Sequence, residues 1–135
     1  KVDRKLISEW EISLREHWMK TSEIRRIYVQ KKISLEFKTF YDWYLRLTED
    51  HHCHYCQITE DKLEQLFAKY PDLTKRSRGR KLEIDRILPN SDYDDLQNNV
   101  FACYWCNNAK TDTFTEKEFI EVGKIFEKIW KNRLK

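Results

Sequence analysis

The sequence predicts an α+β fold, and three observations carry that expectation. Apolar residues recur at three- and four-residue spacing near both ends of the chain. A short β-branched run, LEIDRIL, interrupts that pattern in the second half. Two Gly and two Pro among 135 residues are too little punctuation for an all-β chain. The length suits one domain with a proper core. At 40% apolar and 14% aromatic residues, low-hydrophobicity disorder is disfavoured. Charged residues make up 36%, and no apolar run approaches the roughly 18 residues that a membrane span needs. The N-terminal residues lack the apolar core of a signal peptide, so a cytoplasmic protein is the expectation.

Taken in order, the first third reads as helices. Leu6, Trp10, Ile12, Leu14 and Trp18 follow helical spacing, and Ser22 is the candidate cap of a second helix carrying Ile24, Ile27 and Tyr28. Ser34 is the candidate start of a third, with Phe37, Phe40, Tyr41, Tyr44 and Leu45 on one face. A shorter helix follows Thr59, with Glu60 and Asp61 at its positive end, and stops at Tyr70 before Pro71. Residues 75–81 read KRSRGRK, five basic groups in seven positions. Strands are expected over 82–88 and around 100–104, joined by the polar turn PNSDYDD. Thr115 and Glu118 have capping-box spacing ahead of a last helix, with Phe119, Val122, Phe126, Ile129 and Trp130 on its apolar face. The five tryptophans are assigned to the core. The expected organisation is a single domain over 1–135: a helical part (1–48), a central core (49–114) and a C-terminal helix (115–135).

Four cysteines form two CxxC pairs, Cys53/Cys56 and Cys103/Cys106. Without an export signal this reads as metal ligation, not disulfide bonding. Each turn supplies two thiolates to one side of a tetrahedral zinc ion, which then staples the chain across the long segment between the pairs. His51, His52 and His54 crowd the first pair, so a histidine could replace one thiolate. Two redox dithiols, or inert buried thiols, are the competing readings. A zinc with four protein ligands has no open position and does not catalyse.

The segments LEIDRILPN (82–90) and LQNNVFACYWCNNAK (96–110) resemble the HNH, or ββα-metal, nuclease family over residues about 52–112. The resemblance implies a hairpin and a following helix gripping one divalent cation, with a zinc nearby. It makes Asp85 and Asn107 the protein ligands of that cation and Asn99 the residue that ties the hairpin loop. It makes Lys110 a helix-borne basic residue facing phosphate. A carboxylate and an amide oxygen suit Mg²⁺ or Mn²⁺, which can stabilise the added charge on a phosphate under attack. The bland alternative is a strand-end carboxylate and a helix-capping Asn.

The family has His directly after the Asp as general base, whereas this chain has Arg86. Arginine cannot take up that proton, although it can bind the scissile phosphate. Asp85 and Arg86 share a site only if the strand bends, because adjacent strand residues face opposite sides. The Asp-Arg pattern is similar to that of restriction-type HNH enzymes, which implies a catalytic role for Tyr44, a position that also reads as core.

The cluster Lys75, Arg76, Arg78, Arg80 and Lys81 lies just ahead of the Asp85 strand, where it can neutralise phosphates and release counterions. Arg25, Arg26, Lys31 and Lys32 form a second basic stretch. A net charge of +3 does not by itself imply a polyanion partner. The expected function is metal-dependent endonucleolytic hydrolysis of DNA, of restriction type, with a homodimer if both strands of a palindrome are cut. Alternatives are a non-catalytic zinc-stabilised DNA-binding module, and a homing or phage-type HNH nickase.

Overall fold

The computed structural model describes residues 17–18, 20–47 and 51–135. Leu6, Trp10, Ile12 and Leu14, expected on a first helix, lie outside them. The chain divides into two compact units, one ending at Arg46 and one beginning at Leu47. None of the described helices is long and apolar enough to cross a membrane.

In the first unit, helix α1 spans residues 20–30 and α2 spans Phe37–Leu47. Ser22 sits inside α1 and does not cap it. Lys32, in the left-handed region (φ 55°), closes the helix end, with its N–H donated to the Val29 carbonyl. Nor does α2 start at Ser34: its first turn closes when Phe40 N–H donates to Glu36. Ile24, Ile33 and Phe40 are buried, and the Tyr28 ring packs 5.3 Å from Phe37 and 5.6 Å from Phe40. Trp18, expected in the core, is 70% exposed.

The second unit begins with a knuckle in which His52 pairs with Thr59 across the first CxxC turn. Thr59 then caps α3 (Glu60–Lys69), its hydroxyl oxygen accepting from Lys62 N–H at 3.2 Å. Strands β1 (Glu83–Arg86) and β2 (Asn99–Ala102) pair antiparallel, with Asp85 opposite Val100 and Arg86 opposite Asn99. Both are shorter than the runs that suggested them. Helix α4 (Tyr104–Lys110) follows directly, and Cys103 occupies its N-cap. Helix α5 (Glu116–Arg133) starts at the Thr115–Glu118 capping box, which forms in full.

The core of this unit is aromatic. Trp105 of α4 meets Trp130 of α5 at 4.9 Å and Phe67 of α3 at 6.2 Å. Phe119 stands edge-on to Tyr55 at 5.3 Å and is fully buried. That burial is worth about 2–3 kcal/mol. Val122 and Phe126 are only half-buried, and Ile129 is 39% exposed, so the apolar face of α5 is narrower than its spacing suggests. Gly123 permits the approach of α5 to the knuckle. A Cβ there would stand 2.2 Å from the Tyr55 carbonyl oxygen, so any side chain would push the helix off.

Candidate metal centre and active-site face

The two CxxC pairs converge. All four Sγ atoms lie within 4.8 Å of one another, and all four cysteines are buried. Cys56 Sγ and Cys103 Sγ are 3.6 Å apart. A tetrahedral ion with metal–sulfur bonds of about 2.3 Å requires sulfur–sulfur separations of roughly 3.8 Å. Backbone N–H groups of Tyr55 and Cys56 donate to Cys53 Sγ, and that of Cys106 donates to Cys103 Sγ, each at 3.4 Å. Such bonds stabilise thiolates. The four groups titrate against one another: hydrogen bonds from Cys103, Cys106 and Cys56 hold Cys53 far below the ordinary thiol range. The same crowding, Cys103 first, drives Cys106 far above it. A dication removes the conflict, because all four can then be thiolates. The donor set therefore fits a thiophilic metal such as zinc.

The histidines near the first pair take other roles. His54 Nε2 lies 2.8 Å from Glu116 Oε2, which joins the knuckle to the start of α5. His51 Nδ1 lies 3.5 Å from Glu60, with its ring 4.3 Å from Phe101.

Strand β1 carries two carboxylates, and α4 supplies the groups that meet them. Asn107 Nδ2 donates to Glu83 Oε2 at 3.4 Å. One helical turn later, Lys110 Nζ approaches Asp85 Oδ2 at 3.5 Å and donates to the Arg86 carbonyl at 3.3 Å. Residues two apart on a strand share a face, and residues three apart on a helix do likewise. Glu83 and Asp85 thus front the helix edge bearing Asn107 and Lys110. Tyr55, from within the first CxxC turn, adds its hydroxyl 3.5 Å from Asp85 Oδ2. Burial raises the Asp85 carboxyl above its usual range, against the lowering effect of Lys110, the Arg86 backbone and Tyr55.

Two residues sit differently from expectation. Lys110 does not face outward. It is 2% exposed, because Asp85 and a strand carbonyl draw its ammonium inward. The Arg86 guanidinium does not join Asp85's partners. β1 stays regular through Arg86, and the guanidinium lies 4.7 Å from the centre of the Tyr93 ring and donates to the Ser91 carbonyl at 3.1 Å.

Asn99 Nδ2 donates to the Tyr93 carbonyl at 2.8 Å, within the hairpin loop. Asn98, which the sequence reading passed over, does more there. Its side chain accepts from Leu88 N–H at 2.9 Å and donates to the Leu88 carbonyl at 3.0 Å. Tyr44 belongs to the first unit, where its ring packs 6.0 Å from Phe40 and 6.3 Å from Trp43. Glu83 and Tyr55 were also missed. For Glu83 the signal was present in the two-residue strand period; for Tyr55 nothing local pointed to Asp85.

The basic loop lies against this face. Lys75, Arg76, Arg78, Arg80 and Lys81 are exposed. Arg76, Ser77 and Gly79 have positive φ, which folds the loop tightly. Its base is pinned where Leu82 N–H donates to Glu60 Oε2 at 2.9 Å. Between loop and α4 runs a groove of about 490 Å³, lined by Arg78, Arg80, Lys81 and Tyr104 and reaching Glu83 and Asn107.

No protein-family model and no curated protein matches the chain. Among solved structures it is similar to the rare-cutting HNH restriction endonuclease PacI, a structure described for how that enzyme perturbs DNA. Identity is 25%, the match covers 85% of this chain and 79% of that one, and the TM-score is 0.61. With its β1–β2 hairpin, its four-cysteine cluster and helix α4 facing β1, the chain has the ββα-metal fold of the HNH family and is similar to a restriction-type member of it.

Proposed function

We propose that this protein is a divalent-metal-dependent DNA endonuclease of restriction type, with one structural zinc held by Cys53, Cys56, Cys103 and Cys106. The observation that carries the reading is the face on which β1 presents Asp85 to the helix bearing Asn107, in a fold shared with an HNH restriction enzyme. The donor set fits a hard cation, a half-buried carboxylate facing a helix that supplies an amide oxygen. Asp85 and Asn107 would hold Mg²⁺ or Mn²⁺, which when bound stabilises negative charge growing on the phosphate and its leaving oxygen.

The chain's own residues bind and orient the substrate. Lys110 and Tyr55 hold Asp85 in place from the interior. Arg78, Arg80 and Lys81 line a groove reaching Asn107, which suits a phosphate backbone. Asn98 and Asn99 stiffen the hairpin loop. None of Arg86, Lys110 and Tyr55 is placed to take a proton. Arg86 is turned onto Tyr93 and Ser91, Lys110 pairs with the carboxylate, and burial and the Asp85 charge push the Tyr55 phenol up. The resemblance to the Asp-Arg branch assigns that role to Tyr44, with His51, His52 and His54 as the next candidates. A palindromic target cut on both strands calls for two copies related by a two-fold axis.

The rival reading is a zinc-stabilised DNA-binding module without catalysis. Arg86 turned onto Tyr93 and the Lys110 ammonium against Asp85 favour it. A plasmid-cleavage assay with Mg²⁺, Mn²⁺ or EDTA decides. Metal-dependent cutting that is lost in Asp85→Asn and Asn107→Ala, with zinc content and DNA binding retained, is the expected result. Tyr44→Phe should slow it at least about tenfold, the lower end of a proton-transfer contribution. Binding without cutting under every metal would leave the binding module as the answer.

A further inference from the structure

We infer that Glu83 is a positioning residue that fixes which atom Asn107 offers to a cation; this rests on the cation site proposed above. An asparagine amide has two nearly isosteric ends, of which only the oxygen ligates a metal. An unconstrained Asn107 would sample both orientations, and half of that sampling would aim an NH₂ group at the ion. The Glu83 carboxylate removes the ambiguity. When ionised it only accepts hydrogen bonds, so the amide end 3.4 Å from its Oε2 has to be Nδ2. Oδ1 is thereby turned away from Glu83.

The placement follows from the two elements. Glu83 precedes Asp85 by two residues and shares its strand face, while Asn107 precedes Lys110 by one helical turn. The pairs Glu83–Asn107 and Asp85–Lys110 lie side by side along the strand. Each candidate ligand is thus held by one partner on the opposite element, as metal ligands usually are by groups behind them. Glu83 also lines the basic groove, where an unpartnered carboxylate would oppose a phosphate backbone. Its hydrogen bond to Asn107 accounts for it there.

The test separates reach from charge. Mn²⁺ affinity is measured on the zinc-loaded full chain, without DNA, from the electron paramagnetic resonance signal of free Mn²⁺. Glu83→Gln loses the charge but keeps an oxygen that reaches Asn107. Glu83→Asp keeps the charge and falls one methylene short. Glu83→Ala loses both. Expected is a loss of affinity of about tenfold in Glu83→Ala and Glu83→Asp, the usual order for a group behind a ligand. Glu83→Gln should stay within about threefold of wild type, since its carbonyl still accepts. In an Asn107→Ala background the Glu83 variants should cost nothing more, because their effect runs through Asn107. Zinc content checks that each variant is folded.

Wild-type affinity in Glu83→Ala and Glu83→Asp overturns the inference. So does the reverse pattern, with Glu83→Gln weak and Glu83→Asp normal, which makes the carboxylate itself a ligand. Asp85→Asn separates this from the larger reading. If that variant loses Mn²⁺ while the Glu83 variants do not, only the role of Glu83 fails. If Asp85→Asn binds Mn²⁺ normally, the cation site fails and this inference with it.

Discussion

Lys110 is 2% exposed, and its ammonium lies 3.5 Å from a carboxylate that is itself 16% exposed. Breaking such a pair from one side leaves a charge in a poorly solvated place, and the cost is typically about 3 kcal/mol or more. Lys110→Met should therefore lower stability to urea by about 3 kcal/mol, without altering the salt dependence of DNA binding. A phosphate ligand would do the opposite, flattening the slope of log K against log salt by about one counterion and sparing stability. Lys110 read as outward-facing because a lysine on a short helix is ordinarily solvated. Its inward turn depends on Asp85 and the Arg86 carbonyl, which come from a strand more than twenty positions earlier. The turn of the Arg86 guanidinium onto Tyr93 was hidden for the same reason, since Tyr93 lies across the hairpin loop.

Among the elements, the two threonine-capped helices formed where the sequence put them. Thr59 and Thr115 cap helices because each hydroxyl meets an N–H three residues on. Ser22 has the same side-chain chemistry and does not start a helix, since α1 continues through it, and α2 starts beyond Ser34. Serine is compatible with a cap and does not compel one. The basic loop has a sharper dependence. Gly79 has φ 87°, and a Cβ on it would stand 2.8 Å from the Tyr104 Cβ on α4. Gly79→Ala must move the loop off α4, at about 1–3 kcal/mol for holding the observed backbone. DNA affinity should fall by about tenfold, the equivalent of 1.4 kcal/mol, with zinc content unchanged. Unaltered affinity in that variant would mean the loop serves no contact in its present position.

Across the whole second unit, the four cysteines are the only group of this kind among the described residues, and they tie the knuckle to the α4 N-terminus. Structural zinc in comparable small sites is worth about 10–16 kcal/mol near neutral pH. That is as large as the entire stability of a typical domain, about 5–15 kcal/mol. Metal removal by a strong chelator, or Cys106→Ala, should therefore abolish the cooperative unfolding transition of residues 51–135. Loss of the near-ultraviolet circular dichroism of the stacked Trp105 and Trp130 is a suitable readout. An apo protein that kept that signal and a sharp melt would show that the aromatic core alone suffices.

The sequence alone determined the order of the described helices and hairpin and the joining of Cys53/Cys56 with Cys103/Cys106, and it singled out Asp85 and Asn107 as candidates. The helices and each CxxC turn rest on spacing along a few neighbouring residues, and periodicity is a local property; Asp85 and Asn107 were singled out by the family resemblance. Only the tertiary structure decided which partner meets each face. It brought Glu83 to Asn107 and Tyr55 to Asp85, drew Lys110 inward, turned Arg86 onto Tyr93, and left Trp18 and Ile129 exposed. A repeat of apolar or charged residues states that a face exists. What covers that face depends on segments far away in the chain, brought together when the thiol cluster and the aromatic core close.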